Sequence, residues 1–155
     1  MPSARVPISS RVVDLDPAGP IRTVLRAVLP VEVRTRGGWF TPIRACVVDS
    51  GASYTTMSYR LATLLGLAVP EASSRAPLVT AGGSGLATVR DGELHLRFPQ
   101  FPGSTFRLYC VFVDGMSETT PVLLGLNDFF DAFRVTFDGR FSPAAPAGHM
   151  LLEAD

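Results

Sequence analysis

Residues 45–52 read Ala-Cys-Val-Val-Asp-Ser-Gly-Ala, and this stretch decides how the rest of the chain is interpreted. An apolar run typical of a buried strand stops at Asp49, and Ser50 and Gly51 follow it. A carboxylate held at a strand end beside an apolar cleft suits acid–base chemistry. The ordinary alternative is a tight turn that starts with Asp, which is a common use of this residue. The triplet alone does not decide between a catalytic group and a turn.

The segments around this stretch predict a mainly β chain with two short helices. Apolar alternation and β-branched residues predict strands over 21–28, 31–35, 39–48, 78–98 with a break at 81–85, 105–113, 121–125 and 134–137. A helix is predicted over 59–65, because Ser58 can cap its start and Gly66 can end it. A second helix is predicted over 128–133, with Asn127 as its cap and a phenylalanine stripe in the core.

Two further motifs lie downstream of Asp49. The sequence Ala81-Gly82-Gly83-Ser84-Gly85 interrupts a β pattern and predicts the glycine-rich tip of a hairpin. It lacks the Lys and the helix that a phosphate-binding loop needs, so a plain β-turn is the main alternative. The sequence Leu123-Leu124-Gly125 predicts an apolar strand that ends at a glycine and leads into the second helix.

In this order the elements resemble the retropepsin family of aspartic proteases, over about residues 21–140. The protease domain of the eukaryotic DNA-damage-inducible ubiquitin-shuttle proteins looks closer than the retroviral proteases. It too has Met-Ser soon after the catalytic turn, as at 57–58, and Leu-Leu-Gly-Leu, as at 123–126. The resemblance implies a closed, mainly β acid-protease barrel with two short helices and one lobe per chain. The predicted protease domain covers 21–155, and residues 1–20, which carry four prolines, are predicted to form an irregular arm.

The resemblance also implies roles for individual residues. Asp49 would be the catalytic aspartate, Ser50 would hydrogen-bond across a dimer axis, and Gly51 would offer its carbonyl to the substrate. The residues implied to bind substrate are Ala52, Ala81, Gly82, Gly83, Ser84, Gly85 and Leu124. The glycine-rich tip would close over the peptide as a flap, while Leu124 would pack beneath the catalytic loop and line a side-chain pocket.

Two positions depart from the retroviral pattern. Retroviral proteases usually place an Asp four residues after the catalytic Asp and pair it with an Arg just after the downstream Gly. These positions are Ser53 and Leu126 here. Because both partners are absent together, no unpaired buried charge results, and the departure points away from the retroviral branch rather than from activity. The tip also lacks the aromatic residue of pepsin-like flaps.

The chemistry of this family needs two carboxylates, and the chain has one suitable motif. Two carboxylates about 3 Å apart cannot both ionise, so they share one proton; one activates a water and the other protonates the carbonyl oxygen. Asp114-Gly115 and Asp138-Gly139 lack the hydroxyl residue before glycine. The second aspartate is therefore expected from another copy of the chain, in a twofold homodimer.

Composition excludes several other classes of function. With 155 residues, 46% of them hydrophobic and 18% charged, the chain is predicted to form one compact domain. The 14 basic and 14 acidic residues form no block of one sign, so neither nucleic acid nor a membrane surface is expected as a partner. No apolar run reaches the roughly 18 residues of a membrane span and no signal-like stretch follows Met1, so a cytoplasmic location is expected.

The positions of the cysteines and histidines predict no disulfide, no metal site and no Ser/His triad. Cys46 and Cys110 each lie in an apolar run and are predicted to be reduced core thiols. His95 and His149 have no partner at metal-ligand spacing, and a Ser/His triad on Ser50 lacks its elbow sequence. We therefore predict a homodimeric aspartic endopeptidase that cleaves polypeptides without metal or cofactor. The alternative is a non-catalytic module of the same fold that binds extended peptides by strand addition or mediates dimerisation.

Overall fold

The structure, a computed structural model, describes residues 2–13, 22–80, 83–116 and 120–154. In chain order its elements are β1 (Ser3–Pro7), β2 (Ser9–Val13), β3 (Arg22–Arg26), β4 (Val28–Arg34), β5 (Phe40–Val48), β6 (Thr56–Ser58), α1 (Tyr59–Leu64), β7 (Ser74–Thr80), β8 (Gly83–Arg97), β9 (Phe106–Val113), β10 (Val122–Leu124), α2 (Phe129–Ala132), β11 (Phe133–Asp138) and β12 (His149–Ala154). The predicted mainly β chain with two short helices is confirmed for this part of the sequence.

The main sheet has seven strands in the order β4-β5-β10-β6-β9-β8-β7. The short strand β10 lies between β5 and β6, although both precede it by many residues. It runs parallel to β5, with Leu124 opposite Val48, and antiparallel to β6, with Val122 opposite Met57. This insertion brings the end of β10 beside the end of β5, where Asp49 begins.

Strand β4 has a neighbour on each side. It pairs along its length with β5, and two further residue pairs, Glu32 with Arg97 and Val33 with Leu96, link it to β8. The other long hairpin joins β7 to β8, and its pairing runs up to Thr80 opposite Gly83. Ala81 and Gly82, which the sequence places at the tip of this hairpin, lie outside the described residues.

The core follows from the alternation of side chains along the strands. On β9, alternation of the sequence predicts that Phe106, Leu108, Cys110 and Phe112 share one face, and of these Leu108, Cys110 and Phe112 are buried and Phe106 is half-buried. Arg107 and Tyr109, which lie between these positions, are exposed. Aromatic rings close the core at one end, with Phe133 at 5.1 Å from Phe98 and 4.7 Å from Phe106 between ring centroids. Phe129 and Phe133 are buried, which confirms that the phenylalanine stripe belongs to the core.

The two helices differ in how they start. Ser58 caps α1 as predicted, since its hydroxyl accepts the Leu61 N–H at 3.3 Å, and Gly66 follows the helix at a φ of +69°. The predicted cap of α2 is wrong: Asp128, not Asn127, occupies the N-cap position, and its side chain makes no bond to the helix.

The irregular arm predicted for residues 1–20 is wrong at both of its described strands. Strand β1 pairs with β12 at the far end of the chain, with Val6 opposite Met150, and β2 pairs with β3. Prolines do not prevent this, because β1 is an edge strand of a three-stranded sheet and Pro7 is its last residue. Residues 14–20 of the predicted arm lie outside the described residues.

Candidate active site

Asp49 lies directly after β5 in a loop that we call the Asp49 loop, residues 49–55. Its backbone N–H donates to the Leu124 carbonyl at 3.0 Å, so the first residue of the loop is hydrogen-bonded to the neighbouring strand β10. Its carboxylate oxygen Oδ1 accepts the Gly51 N–H at 2.8 Å, and its carbonyl accepts the Ala52 N–H at 3.1 Å. The half-buried carboxylate is thereby oriented at the surface end of two parallel strands.

Gly125 lets a second segment pack against this loop. We call residues 125–128 the Gly125 segment. A Cβ atom at Gly125 would overlap the backbone of Tyr54 and lie 2.8 Å from the Thr55 nitrogen, so no larger residue fits without a backbone shift. The Gly125 N–H donates to the hydroxyl of the fully buried Thr55 at 3.2 Å.

Two backbone bonds continue this contact along the Gly125 segment. The Leu126 N–H donates to the Ala52 carbonyl at 2.9 Å, and the Asn127 N–H donates to the Ser53 carbonyl at 3.0 Å. Leu126 and Ser53 are the positions at which retroviral proteases carry an Arg–Asp pair. In this chain backbone hydrogen bonds join the two segments there.

Thr55 and Asp128 are site residues that the sequence analysis missed. The Thr55 N–H donates to the Asp128 carboxylate at 3.0 Å, so α2 and the far end of the Asp49 loop are joined by a side chain. The sequence pattern predicts Asp128 as the first residue of a helix capped by Asn127, and it gives no indication of a bond to a loop 73 positions away.

The predicted site residues around Asp49 fall into three groups: the turn at 50–52, the hairpin tip at 81–85, and Leu124 on β10. Residues 81 and 82 of the tip lie outside the described residues. Ser50 and Gly51 are exposed in the turn beside the Asp49 carboxylate, and Ala52 is half-buried there. In the hairpin tip, Ser84 and Gly85 are exposed and Gly83 begins β8. Within the described part of the chain, no hydrogen bond joins residues 83–85 to residues 49–52.

Leu123 and Leu124 face opposite sides of β10. Leu124 is 0% exposed in the single chain and belongs to the hydrophobic core, and its role in a substrate pocket stays a prediction. Side chains alternate along β10, and Leu123 is half-buried on the opposite face. Leu123 is therefore the member of the pair with the surface to contact a ligand.

The other two Asp-Gly carboxylates already have cationic partners. Arg90 lies 3.2 Å from Asp114, and the guanidinium of Arg140 pairs with Asp138. The hydrogen bonds from Arg140 hold the pKa of Asp138 well below its usual range. Asp138 is thus paired within its own turn, and Asp114 is paired with a residue of the neighbouring strand β8.

The two cysteines are free and buried, which confirms the prediction of reduced core thiols. Burial raises the pKa of the Cys46 thiol to about 12, so it stays protonated at neutral pH and is not a nucleophile. Burial also raises the pKa of Cys110, and the charge of Asp128 acts in the same direction.

The described residues contain neither a candidate metal-ion cluster nor a helix that could span a membrane. Residues 2–13, 22–80, 83–116 and 120–154 contain no group of three or more His, Cys, Asp or Glu side chains placed to hold a metal ion. Over the same ranges, neither helix is long and apolar enough to cross a lipid bilayer.

Comparison with known proteins yields one structural similarity to report. No protein-family profile and no curated protein sequence matches the chain. Among solved structures, the chain is similar to the crystal structure of a retropepsin-like aspartic protease from Rickettsia conorii. The two share 21% identity at a TM-score of 0.43, over 79% of this chain and 87% of that one.

Proposed function

We propose that this chain is an aspartic endopeptidase that acts as a homodimer, with Asp49 of each copy at the twofold axis. The lobe would be a closed retropepsin-like barrel, in which the pairs between β4 and β8 join the first strand of the main sheet to its far side. The nearer branch would be that of the ubiquitin-shuttle proteases. A cytoplasmic location stays a prediction.

The observation that carries the proposal is the geometry around Asp49. The carboxylate lies at the adjacent ends of the parallel strands β5 and β10 and is oriented by the Gly51 N–H. A turn used only to reverse the chain does not need the Gly125 segment bonded along its length. Here that segment contacts the Asp49 loop through Ala52, Ser53 and Thr55. Such bracing is what a reacting carboxylate requires, because small displacements of a catalytic group cost large factors in rate.

The dimer follows from the need for a second carboxylate. Asp114 and Asp138, which also precede glycines, are already paired, Asp114 with Arg90 on β8 and Asp138 with Arg140 of its own turn. A second Asp49 from a symmetry-related copy would complete the pair, and an isologous twofold contact places the two equivalent loops face to face. The exposed Ser50 next to Asp49 would then be available for a bond across the axis.

In the proposed reaction the carboxylate pair holds one proton between its members. The ionised carboxylate removes a proton from a water molecule, which attacks the peptide carbonyl carbon, while the protonated carboxyl group protonates the carbonyl oxygen. The carboxyl group that took the water proton then protonates the amide nitrogen, while the other carboxylate removes a proton from a hydroxyl of the tetrahedral diol. The C–N bond breaks to give a carboxylic acid and an amine, and one proton again remains on the pair. The substrate would be an extended polypeptide, with apolar residues at the cleaved bond because Leu123 offers apolar surface beside the loop.

Cleavage of an unfolded protein at mildly acidic pH tests the proposal, with and without a statine-type inhibitor. Wild-type protein should cleave and Asp49→Asn should not, because an amide keeps the hydrogen bonds but cannot share a titrating proton. Asp114→Asn is the matched control, since it changes an exposed Asp-Gly carboxylate whose ion pair contributes little. Light scattering should give about twice the chain mass of 16.6 kDa.

Three results would contradict the proposal. An active Asp49→Asn protein would remove Asp49 from the chemistry. A strictly monomeric and fully active wild type would remove the shared pair. An inactive wild type that binds an extended peptide would favour the non-catalytic module.

A further inference from the structure

We infer that Asp128 is a positioning residue, whose carboxylate holds the Asp49 loop in its reactive arrangement through the backbone of Thr55. The inference rests on the proposed function and adds a residue to it. Asp128 lies next to α2, outside the Asp-Ser-Gly turn, and would act on the reaction through the loop rather than by contact with substrate.

The contact is made at the end of the loop that Asp49 itself does not hold. At the start, the Asp49 N–H is bonded to Leu124 on β10. At the end, Thr55 is fully buried and is bonded twice to the Gly125 segment. Its N–H donates to Asp128 at 3.0 Å, and its hydroxyl accepts the Gly125 N–H at 3.2 Å. The loop is thus fixed at both ends, and between them the Ala52 and Ser53 carbonyls accept bonds from the Gly125 segment.

Asp128 makes this contact in place of its ordinary local one. An Asp at an N-cap position normally accepts an N–H of its own helix. Asp128 occupies the N-cap of α2, but its side chain makes no bond to the helix, and its Oδ2 accepts the Thr55 N–H. A carboxylate acceptor strengthens such a bond relative to a neutral one. At the helix start the N–H groups of Phe129 and Phe130 donate to the Gly125 carbonyl, so the Asp128 side chain bonds to the loop and not to its own helix.

The other hydrogen bonds between the two segments do not depend on the Asp128 side chain, so its effect on loop position can be measured apart from its effect on folding. Leu126 and Asn127 bond to Ala52 and Ser53 through backbone atoms, so a side-chain change at 128 leaves these contacts in place. Thr55 also keeps the bond from Gly125 to its hydroxyl and the bond from Val111 to its carbonyl. Loss of the Asp128 bond should therefore loosen the end of the loop without unfolding the lobe. Asp131 provides a matched control, since it is an exposed acidic residue of the same helix.

Two substitutions at Asp128 distinguish its possible roles. Asp128→Ser supplies a good N-cap for α2 but has too short a side chain to keep the bond to Thr55. Asp128→Asn removes the charge and keeps an oxygen that can accept the Thr55 N–H. A merely structural role predicts that Asp128→Ser is tolerated, whereas a positioning role predicts that it is damaging and that Asp128→Asn rescues.

The experiment measures kcat and KM per active site, titrated with a tight inhibitor, for Asp128→Ser, Asp128→Asn and Asp131→Ser. We expect Asp128→Ser to lower kcat by about tenfold to a hundredfold with little change in KM, because the reacting carboxylate is displaced. Asp128→Asn should stay within about threefold of wild type, and Asp131→Ser within about twofold. A kcat for Asp128→Ser equal to that of Asp131→Ser overturns the inference, and so does an Asp128→Asn no better than Asp128→Ser.

Amide NMR of the same proteins tests the positioning without any catalysis. In Asp128→Ser the amide signals of Thr55, Gly51 and Ser50 should shift, and that of Thr55 should lose its protection from hydrogen exchange. Asp131→Ser should leave all three unchanged. Unchanged Ser50 and Gly51 signals in Asp128→Ser overturn the inference. Failure of the proposed function is a different result, namely a wild type that cleaves no better than Asp49→Asn.

Discussion

The turns at Asp49 and Asp138 share one local hydrogen bond and have different surroundings. Each aspartate lies at the end of a strand, and its Oδ1 accepts a backbone N–H from two residues further on, Gly51 at 2.8 Å and Arg140 at 3.0 Å. At Asp138 the same Arg140 also covers the carboxylate with its guanidinium, and the turn lies beside β12 with His149 opposite. At Asp49 the turn lies between two parallel strand ends, with the Gly125 segment bonded along it.

This difference shows that the hydrogen bond within the turn is common to both sites, whereas the contacts around the carboxylate differ. The bond from Asp to the following backbone stabilises any such turn, so it says nothing about function. The charge partner at Asp138 and the braced surroundings at Asp49 are what distinguish an ion pair from a candidate catalytic group. A tight turn that starts with Asp and has no catalytic role, which was the alternative interpretation of the Asp49 sequence, is thus the better description of Asp138.

Mixed dimers give the largest expected contrast between the two turns. A dimer with one wild-type and one Asp49→Asn subunit should lose at least about a thousandfold in kcat/KM, because a single carboxylate cannot share a proton with an amide. A dimer with one Asp138→Asn subunit should keep wild-type activity. Tagged subunits purified by two affinity steps allow the measurement. Half-activity in the Asp49 mixed dimer would mean that each subunit reacts independently.

The glycines beside the two turns give the next contrast, in stability. Gly125→Ala should lower the free energy of unfolding by about 1–3 kcal/mol, because its Cβ would overlap the Tyr54 backbone. Gly139→Ala should change it by less than about 0.5 kcal/mol, since a Cβ there meets no atom within 4 Å. Urea unfolding at fixed protein concentration measures both. Equal stability of the two variants would contradict the close packing of the Asp49 loop on Gly125.

The smallest effect is expected for Asp138 in acid. Arg140 lowers the pKa of Asp138 in the folded protein, so the folded state holds this proton less tightly than the unfolded state does. The stabilisation is therefore complete above the unfolded pKa of about 4 and is lost as pH falls through the lower folded pKa. Melting temperatures from about pH 5 down to pH 2 should fall less for Asp138→Asn than for wild type. Parallel curves would show that the exposed pair contributes nothing measurable.

Sequence reasoning succeeded where the deciding contacts are local. Ser58 and Gly66 bound α1 as predicted, because a cap and a left-handed glycine act within one turn of the helix. The buried face of β9 followed from alternation alone. The same reasoning failed at β1, whose partner β12 lies at the other end of the chain.

The sequence by itself determined the mainly β content, the start and end of α1 and the phenylalanine core. It also identified the Asp49 turn as the candidate site. Each of these depends on side-chain alternation or on bonds between residues a few positions apart, which a linear pattern records. Only the tertiary structure decided that β10 enters between β5 and β6, that Gly125 packs on Tyr54, and that Asp128 bonds to Thr55 rather than to its own helix. The physical reason is that these contacts join segments far apart in the chain, so their partners are selected by the packing of the whole lobe and leave no periodic signal in the sequence.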